Sequence, residues 1–169
     1  MDVPGAIPLT RNWPKWWGKY EIYASDLEGP ALVIDLDTVF VKTLEIRPEH
    51  EDKAIIIRDV WRDGTRRPER LGGGFMYLPH LARKKLWSAF DPDLIKKYNG
   101  DDQPLLHDVM SEVALRFQDH YLDEVVSYKA YVKGIGIQPE NKAIYFHGIP
   151  RPWSVQESWI PPLDTKQPS

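Results

Sequence analysis

Residues 31–41 read Ala-Leu-Val-Ile-Asp-Leu-Asp-Thr-Val-Phe-Val, an apolar run that carries two carboxylates. The run predicts a central buried β-strand, because strands buried on both faces are almost continuously apolar. We expect its end to deliver Asp35 and Asp37 to one edge of a sheet, on the same side of the strand. Such a pair concentrates negative charge that a divalent cation can neutralise. A strand that ends in solvent explains the same two acids, so both interpretations stay open.

The composition is that of an ordinary globular protein. The chain has 169 residues, 42% of them apolar and 28% charged, which predicts one domain over residues 1–160. The proline pair Pro161–Pro162 predicts a flexible tail over residues 161–169. The net charge of −3 gives no reason to expect a nucleic acid or an anionic membrane as partner.

The sequence contains no cysteine, so a metal would need oxygen and imidazole ligands. No signal peptide and no apolar run of membrane-spanning length is present, which predicts a soluble, cytoplasmic protein. Seven Trp and eight Tyr exceed the needs of a small core, and such rings often line sugar or nucleotide sites.

Strand and helix patterns alternate along the rest of the chain, which predicts an α/β domain with a mixed sheet flanked by helices. Strands are expected at Ala54–Val60, Leu71–Leu78, Val125–Val132 and Ala143–Phe146, with a short edge strand at Ala6–Leu9. Helices are expected at Lys15–Ala24, His80–Phe90 and Asp91–Tyr98, and from Asp102 to about Phe117.

Two of these segments carry expectations about side chains. Helical spacing in Lys15–Ala24 places Trp16, Tyr20 and Tyr23 on one side and Lys19 near the opposite face. The arginine-rich stretch at residues 62–70 fits a solvated loop, or a loop whose arginines approach an anionic ligand.

His147 follows the apolar strand Ala143–Phe146 and could meet the two acids at the edge of the sheet. Two carboxylates and an imidazole form a workable site for manganese or magnesium. Arg151, held between prolines, could add positive charge for phosphate oxygens. The alternative for His147 is a hydrogen-bonded histidine of the core.

Four segments together resemble, in order and spacing, the motifs of GT-A glycosyltransferases of the glycogenin-like kind, including bacterial and phage relatives. The resemblance covers about residues 13–153, and the segments are Ile34–Thr38, Gly74–Leu78, Gly100–Gln103 and Phe146–Trp153. It implies a GT-A-like fold and a nucleotide-sugar donor, which in most relatives is a UDP-sugar. It also implies that the sugar is transferred with retention of its anomeric configuration, to an acceptor that the sequence does not specify.

The resemblance also implies roles for individual residues. Asp35, Asp37 and His147 would hold the metal, and Asp102 and Gln103 would lie at the transferred sugar as catalytic residues. The nucleotide diphosphate would contact Lys19, Gly148 and Arg151, where the family commonly has a lysine in place of Arg151. The residues implied to face the substrate are Gly73, Gly74 and Trp153.

Family members carry a nucleoside-binding βαβ portion before the position of Trp13, where this chain has only a dozen residues. We therefore expect an N-terminally truncated GT-A fold. One alternative is a non-catalytic domain that binds a sugar nucleotide or forms a homo-oligomer. Another is a haloacid-dehalogenase-type phosphatase, with Asp35 as nucleophile and Asp37 as acid/base, since Asp35–Val39 also resembles the first motif of that family.

Overall fold

The computed structural model describes residues 5–24, 26–60 and 66–161. Its strands are β1 (Ala31–Ile34), β2 (Thr38–Phe40), β3 (Ile55–Val60), β4 (Arg66–Leu78), β5 (Leu115–Arg116), β6 (Val125–Ser127) and β7 (Ala143–Tyr145). Its α-helices are α1 (Tyr20–Ala24), α2 (His80–Ser88), α3 (Asp93–Lys97), α4 (Gln103–Met110) and α5 (Phe117–His120). Short 3₁₀ helices cover Lys15–Lys19, Pro48–His50 and Pro152–Ser154, and a π-helical turn covers Tyr128–Val132.

The strands form two sheets, ordered β1-β4-β3-β5 and β2-β7-β6. In the first sheet β4 runs antiparallel to β1 and β3, while β3 and β5 are parallel. In the second sheet β7 is antiparallel to β2 and parallel to β6. The predicted α/β class with a mixed sheet and flanking helices is therefore confirmed, but the strands form two sheets and not the one that was expected.

The inner strands β3 and β4 of the four-stranded sheet pack against apolar cores on both faces. Ile56 and Met76 belong to a core formed with α1, α2 and α4, whereas Ile55 and Phe75 belong to a second core formed with α5, β6 and β7. Successive residues of a strand point to opposite faces, so both faces of β3 must be apolar. This explains the continuous apolar start of β3, and the predicted strand at Ala54–Val60 is confirmed.

The single central strand expected at residues 31–41 is wrong. β1 and β2 are separate edge strands of different sheets, and Asp35, Leu36 and Asp37 form the turn between them. Leu36 is 97% exposed at the tip of this turn. An apolar run does not distinguish one long strand from two short strands joined by a turn, because both bury apolar side chains on their packed faces.

The helix over Lys15–Ala24 is confirmed, but its buried face is not the one expected. Trp17, Tyr20 and Tyr23 are buried, whereas Trp16 is 46% exposed. The reason is that Lys15–Lys19 is a 3₁₀ helix with three residues per turn, so that residues three apart share a face. The prediction had applied the α-helical period to this segment.

Other expectations need correction at the ends of elements. Residues 66–70 belong to β4 and are not a loop. The strand expected at Val125–Val132 ends at Ser127, the helix after Asp102 ends at Met110, and no strand forms at Ala6–Leu9. Residues 61–65 of the arginine-rich stretch and residues 162–169 of the expected tail lie outside the described residues.

No helix in the described part of the chain combines the length and the apolar character needed to cross a membrane.

Candidate functional site

A cleft of about 440 Å³ is lined by six segments that are distant in the sequence. It contains every site residue predicted from the sequence except Trp153, which is 56% exposed on the 3₁₀ turn Pro152–Ser154 and does not line the cleft. The lining includes five aspartates but only three cationic side chains. Its members are Trp16, Lys19, Asp35, Asp37, Asp59, Val60, Arg70, Gly73, Gly74, Asp101, Asp102, Gln103, His147, Gly148 and Arg151.

Asp35 is fixed against the middle of β4. Its backbone N–H donates to the carbonyl of Gly74 at 2.9 Å, which continues the β1-β4 ladder by one residue. A Cβ atom at Gly74 would lie 3.3 Å from Oδ2 of Asp35, closer than most side chains accept. The glycine predicted to face the substrate therefore makes room for the first carboxylate.

Asp37 is the buried carboxylate of the pair, with 3% of its surface exposed. Its backbone carbonyl accepts the N–H of Phe146 at 2.9 Å, which ties the turn to the segment that follows β7. Oδ2 forms an ion pair with Arg151. Oδ1 is buried and has no hydrogen-bond partner among the described residues. Such an orphaned carboxylate oxygen is costly unless a cation or a proton reaches it.

Lys19 connects three segments at the floor of the cleft. Its Nζ donates to the carbonyl of Gly73 at 2.8 Å, pairs with Oδ1 of Asp35 at 2.9 Å and lies 3.8 Å from Oδ2 of Asp102. Lys19 and Trp16 share the cleft-facing side of the 3₁₀ helix, because they are three residues apart. Lys19 thus neutralises the acid on the β1-β2 turn and holds it near the start of α4.

Asp102 is the second buried carboxylate of the cleft, 5% exposed. Burial raises the pKa of Asp102 to about 6, and the positive charge of Lys19 opposes this rise while Asp101 and Asp35 add to it. Asp101 instead stabilises the helix start, since its Oδ1 accepts the N–H of Gln103 at 3.1 Å. A carboxyl group that titrates near neutral pH is suited to proton transfer.

His147 lies just beyond β7 and is held by β6. Its Nε2 is 2.8 Å from Oγ of Ser127, a residue with no exposed surface. Because that oxygen already accepts the N–H of Ala130, the Ser127 hydroxyl can donate its own proton to Nε2. A metal at Nε2 would replace this hydrogen bond, so the arrangement agrees with the alternative of a hydrogen-bonded histidine.

The resemblance implies a divalent metal in this cleft. Within residues 5–24, 26–60 and 66–161, no three Asp, Glu or His side chains converge as a metal-binding group. The carboxylates are instead paired with Lys19 and Arg151. The buried free oxygen of Asp37 and the partly exposed carboxylate of Asp35 nevertheless provide the oxygen donors that magnesium and manganese prefer. The donor set therefore fits such a metal once the two cations move.

The sequence interpretation missed several residues of the cleft. Asp59 and Val60 end β3, and the acidic residue at the end of this expected apolar strand was a signal that could have placed them at the site. Arg70 agrees with the second interpretation of the arginine-rich stretch, in which arginines approach an anionic ligand. The α-helical period places Trp16 on the side of Tyr20 and Tyr23, whereas the 3₁₀ period of Lys15–Lys19 places it on the side of Lys19, toward the cleft.

Comparison with known proteins does not identify the class of the site, which is therefore described from its geometry. No protein-family model matches the sequence, and no curated protein matches it. On geometry, the site is an acidic cleft in an α/β fold, with two buried carboxylates and three cations that could contact an anionic ligand.

Proposed function

We propose that the cleft binds the diphosphate of a nucleotide-sugar together with manganese or magnesium, and that the protein is a glycosyltransferase of the GT-A type with a UDP-sugar as donor. One observation carries the proposal. The four segments that resemble the glycogenin-like motifs, far apart in the sequence, all contribute residues to one cleft. Chance similarity of short motifs gives no reason for such convergence.

The charges of the cleft support this chemistry. A divalent metal would supply positive charge that stabilises the diphosphate as the leaving group when the sugar is transferred to the acceptor. Asp35 and Asp37 would hold it through the oxygens described above, and their present partners Lys19 and Arg151 would then be free to contact phosphate oxygens. Asp102 and Gln103 line the same cleft, where they could position the transferred sugar.

The phosphatase alternative fits the geometry less well. It requires Asp37 to exchange protons with a substrate, yet Asp37 is 3% exposed and paired with Arg151. It also gives no role to Arg151 and Gly148, which line the same cleft. The non-catalytic alternative predicts the same ligand without turnover, so release of UDP from a UDP-sugar distinguishes it from a transferase.

Calorimetry with and without Mn²⁺ tests the proposal. The wild-type protein should bind a UDP-sugar only when the metal is present, and Asp35→Asn with Asp37→Asn should abolish that binding. A matched control is Asp26→Asn with Asp52→Asn, because these carboxylates are exposed and form ion pairs with surface lysines. Unchanged metal-dependent binding in the cleft variant would refute the proposal.

A further inference from the structure

Trp16 is exposed in a way that its packing does not explain. Its side chain is 46% exposed, lines the cleft, and makes no ring contact or hydrogen bond within the described part of the chain. Four other tryptophans lie against aromatic rings, namely Trp13, Trp17, Trp87 and Trp159. Removing so large an apolar surface from water is favourable, so a ring left open inside a cleft is a candidate ligand contact.

The residues that flank Trp16 are buried or lie near the start of α4. Its neighbour Trp17 is wholly buried, and Lys19 one turn later lies 3.8 Å from Asp102. On the other side, Lys15 is so close to Gly100 that a Cβ atom there would lie 3.1 Å from the Lys15 side chain. Residues on both sides of Trp16 in the 3₁₀ helix therefore lie close to the segment Gly100–Asp102, and Trp16 lines the cleft together with Asp101, Asp102 and Gln103.

The polar groups at this end of the cleft indicate what stacks on the ring. Asp101 and Asp102 carry carboxylates, which when ionised accept hydrogen bonds, while Lys19 beside Asp102 and the side-chain amide of Gln103 can donate them. A sugar ring offers several hydroxyl donors and an apolar C–H face. Uracil offers one N–H donor and two carbonyl oxygens that themselves need donors. An aromatic face beside several acceptors and donors therefore suits a pyranose, whose hydroxyl groups both donate and accept, better than a nucleobase with a single N–H donor.

We infer that Trp16 is the stacking platform of a carbohydrate subsite at the Asp101–Gln103 end of the cleft. The ring bound there belongs to the donor sugar or to a saccharide acceptor, and both share this chemistry. The inference rests on the proposed function only for the link to a nucleotide-sugar. Binding of a free saccharide does not depend on metal or diphosphate.

The test is an NMR titration of the metal-free protein with methyl glycosides of glucose, galactose and N-acetylglucosamine. At least one should bind, and Trp16→Ala should weaken it by about five- to tenfold, whereas Trp16→Tyr retains a ring and most of the affinity. Trp153→Ala is the matched control, because Trp153 is 56% exposed but does not line the cleft. It should leave the affinity unchanged.

Binding of UDP and of the UDP-sugar with Mn²⁺ separates the two sources of the ring. Trp16→Ala weakens the UDP-sugar but not UDP if the platform serves the donor, and weakens neither if it serves an acceptor. Absence of saccharide binding by the wild type overturns the inference, as does a loss in Trp153→Ala equal to that in Trp16→Ala. Weaker uridine binding with unchanged saccharide binding in Trp16→Ala also overturns it. Saccharide binding without UDP-sugar binding would refute the proposed function alone.

Discussion

Replacing Arg151 should lower the free energy of unfolding, because it leaves the buried carboxylate of Asp37 without its ion-pair partner. Arg151 is the ion-pair partner of a side chain that is 3% exposed, and Oδ1 of the same carboxylate already lacks a partner within the described residues. Removing one member of a fully buried pair costs about 3–5 kcal/mol. Because the Arg151 side chain is 42% exposed, solvent screens part of this charge, and we expect Arg151→Gln to lower the unfolding free energy by about 2 kcal/mol.

Urea denaturation at pH 7 measures this cost, and a double-mutant cycle with Asp37→Asn assigns it to the pair. The two substitutions together should cost less than the sum of the single ones by about 1 kcal/mol or more. Millimolar Mn²⁺ should stabilise Arg151→Gln more than the wild type, because a metal no longer competes with the guanidinium. Additive single effects and equal stabilisation by Mn²⁺ would show that Asp37 and Arg151 are not coupled.

Three further substitutions give separate predictions. The pKa of Asp102 is about 6 in the folded protein and 3.8 in the unfolded chain, so the folded state holds the proton more tightly and loses stability as the pH rises through 6. The unfolding free energy of the wild type, relative to that of Asp102→Asn, should therefore fall by about 2 kcal/mol from pH 4 to pH 7. A difference between the two proteins that does not change with pH in urea titrations contradicts this. Gly74→Ala should displace the Asp35 carboxylate and weaken Mn²⁺ binding severalfold in calorimetry, whereas Gly18→Ala, with contacts of 3.5 Å or more, should not. Arg83→Met removes a buried guanidinium that donates to the carbonyls of Leu27 and Gly29 at 2.6 and 2.7 Å, and should lower the unfolding free energy by about 3 kcal/mol. If the control Lys84→Met lowers the unfolding free energy by a similar amount, these hydrogen bonds are not the reason for the loss.

Composition and periodicity were sufficient for the elements that pack on both faces. Residues 55–57 and the strand ending at Leu78 are buried by helices on one side and by the second sheet on the other, so their apolar runs have one interpretation. The turn between β1 and β2 was not visible in the same way. Edge strands also have apolar side chains, and Leu36 at the exposed tip gives no polar signal that the chain turns there.

The residues of the site were easier to predict than the side chains to which they bind. The aspartates of the turn, Asp102 and His147 all reach the cleft, since strand ends and helix starts gather at one edge. The sequence contained no indication that Lys19 would neutralise Asp35 or that Ser127 would bind His147, because these contacts join segments far apart in the chain. Trp16 was misplaced because 3₁₀ and α-helical periods differ by only a fraction of a residue per turn.

The most direct test of the central claim is a crystal grown with Mn²⁺ and UDP, with anomalous diffraction recorded to locate the manganese. We expect one anomalous peak in the cleft, with carboxylate oxygens of Asp35 and Asp37 at about 2.1 Å and with phosphate oxygens of UDP beside it. Lys19 and Arg151 should then have left the two carboxylates for the phosphates. Bound UDP with no manganese at these residues, or with both ion pairs intact, would contradict the account.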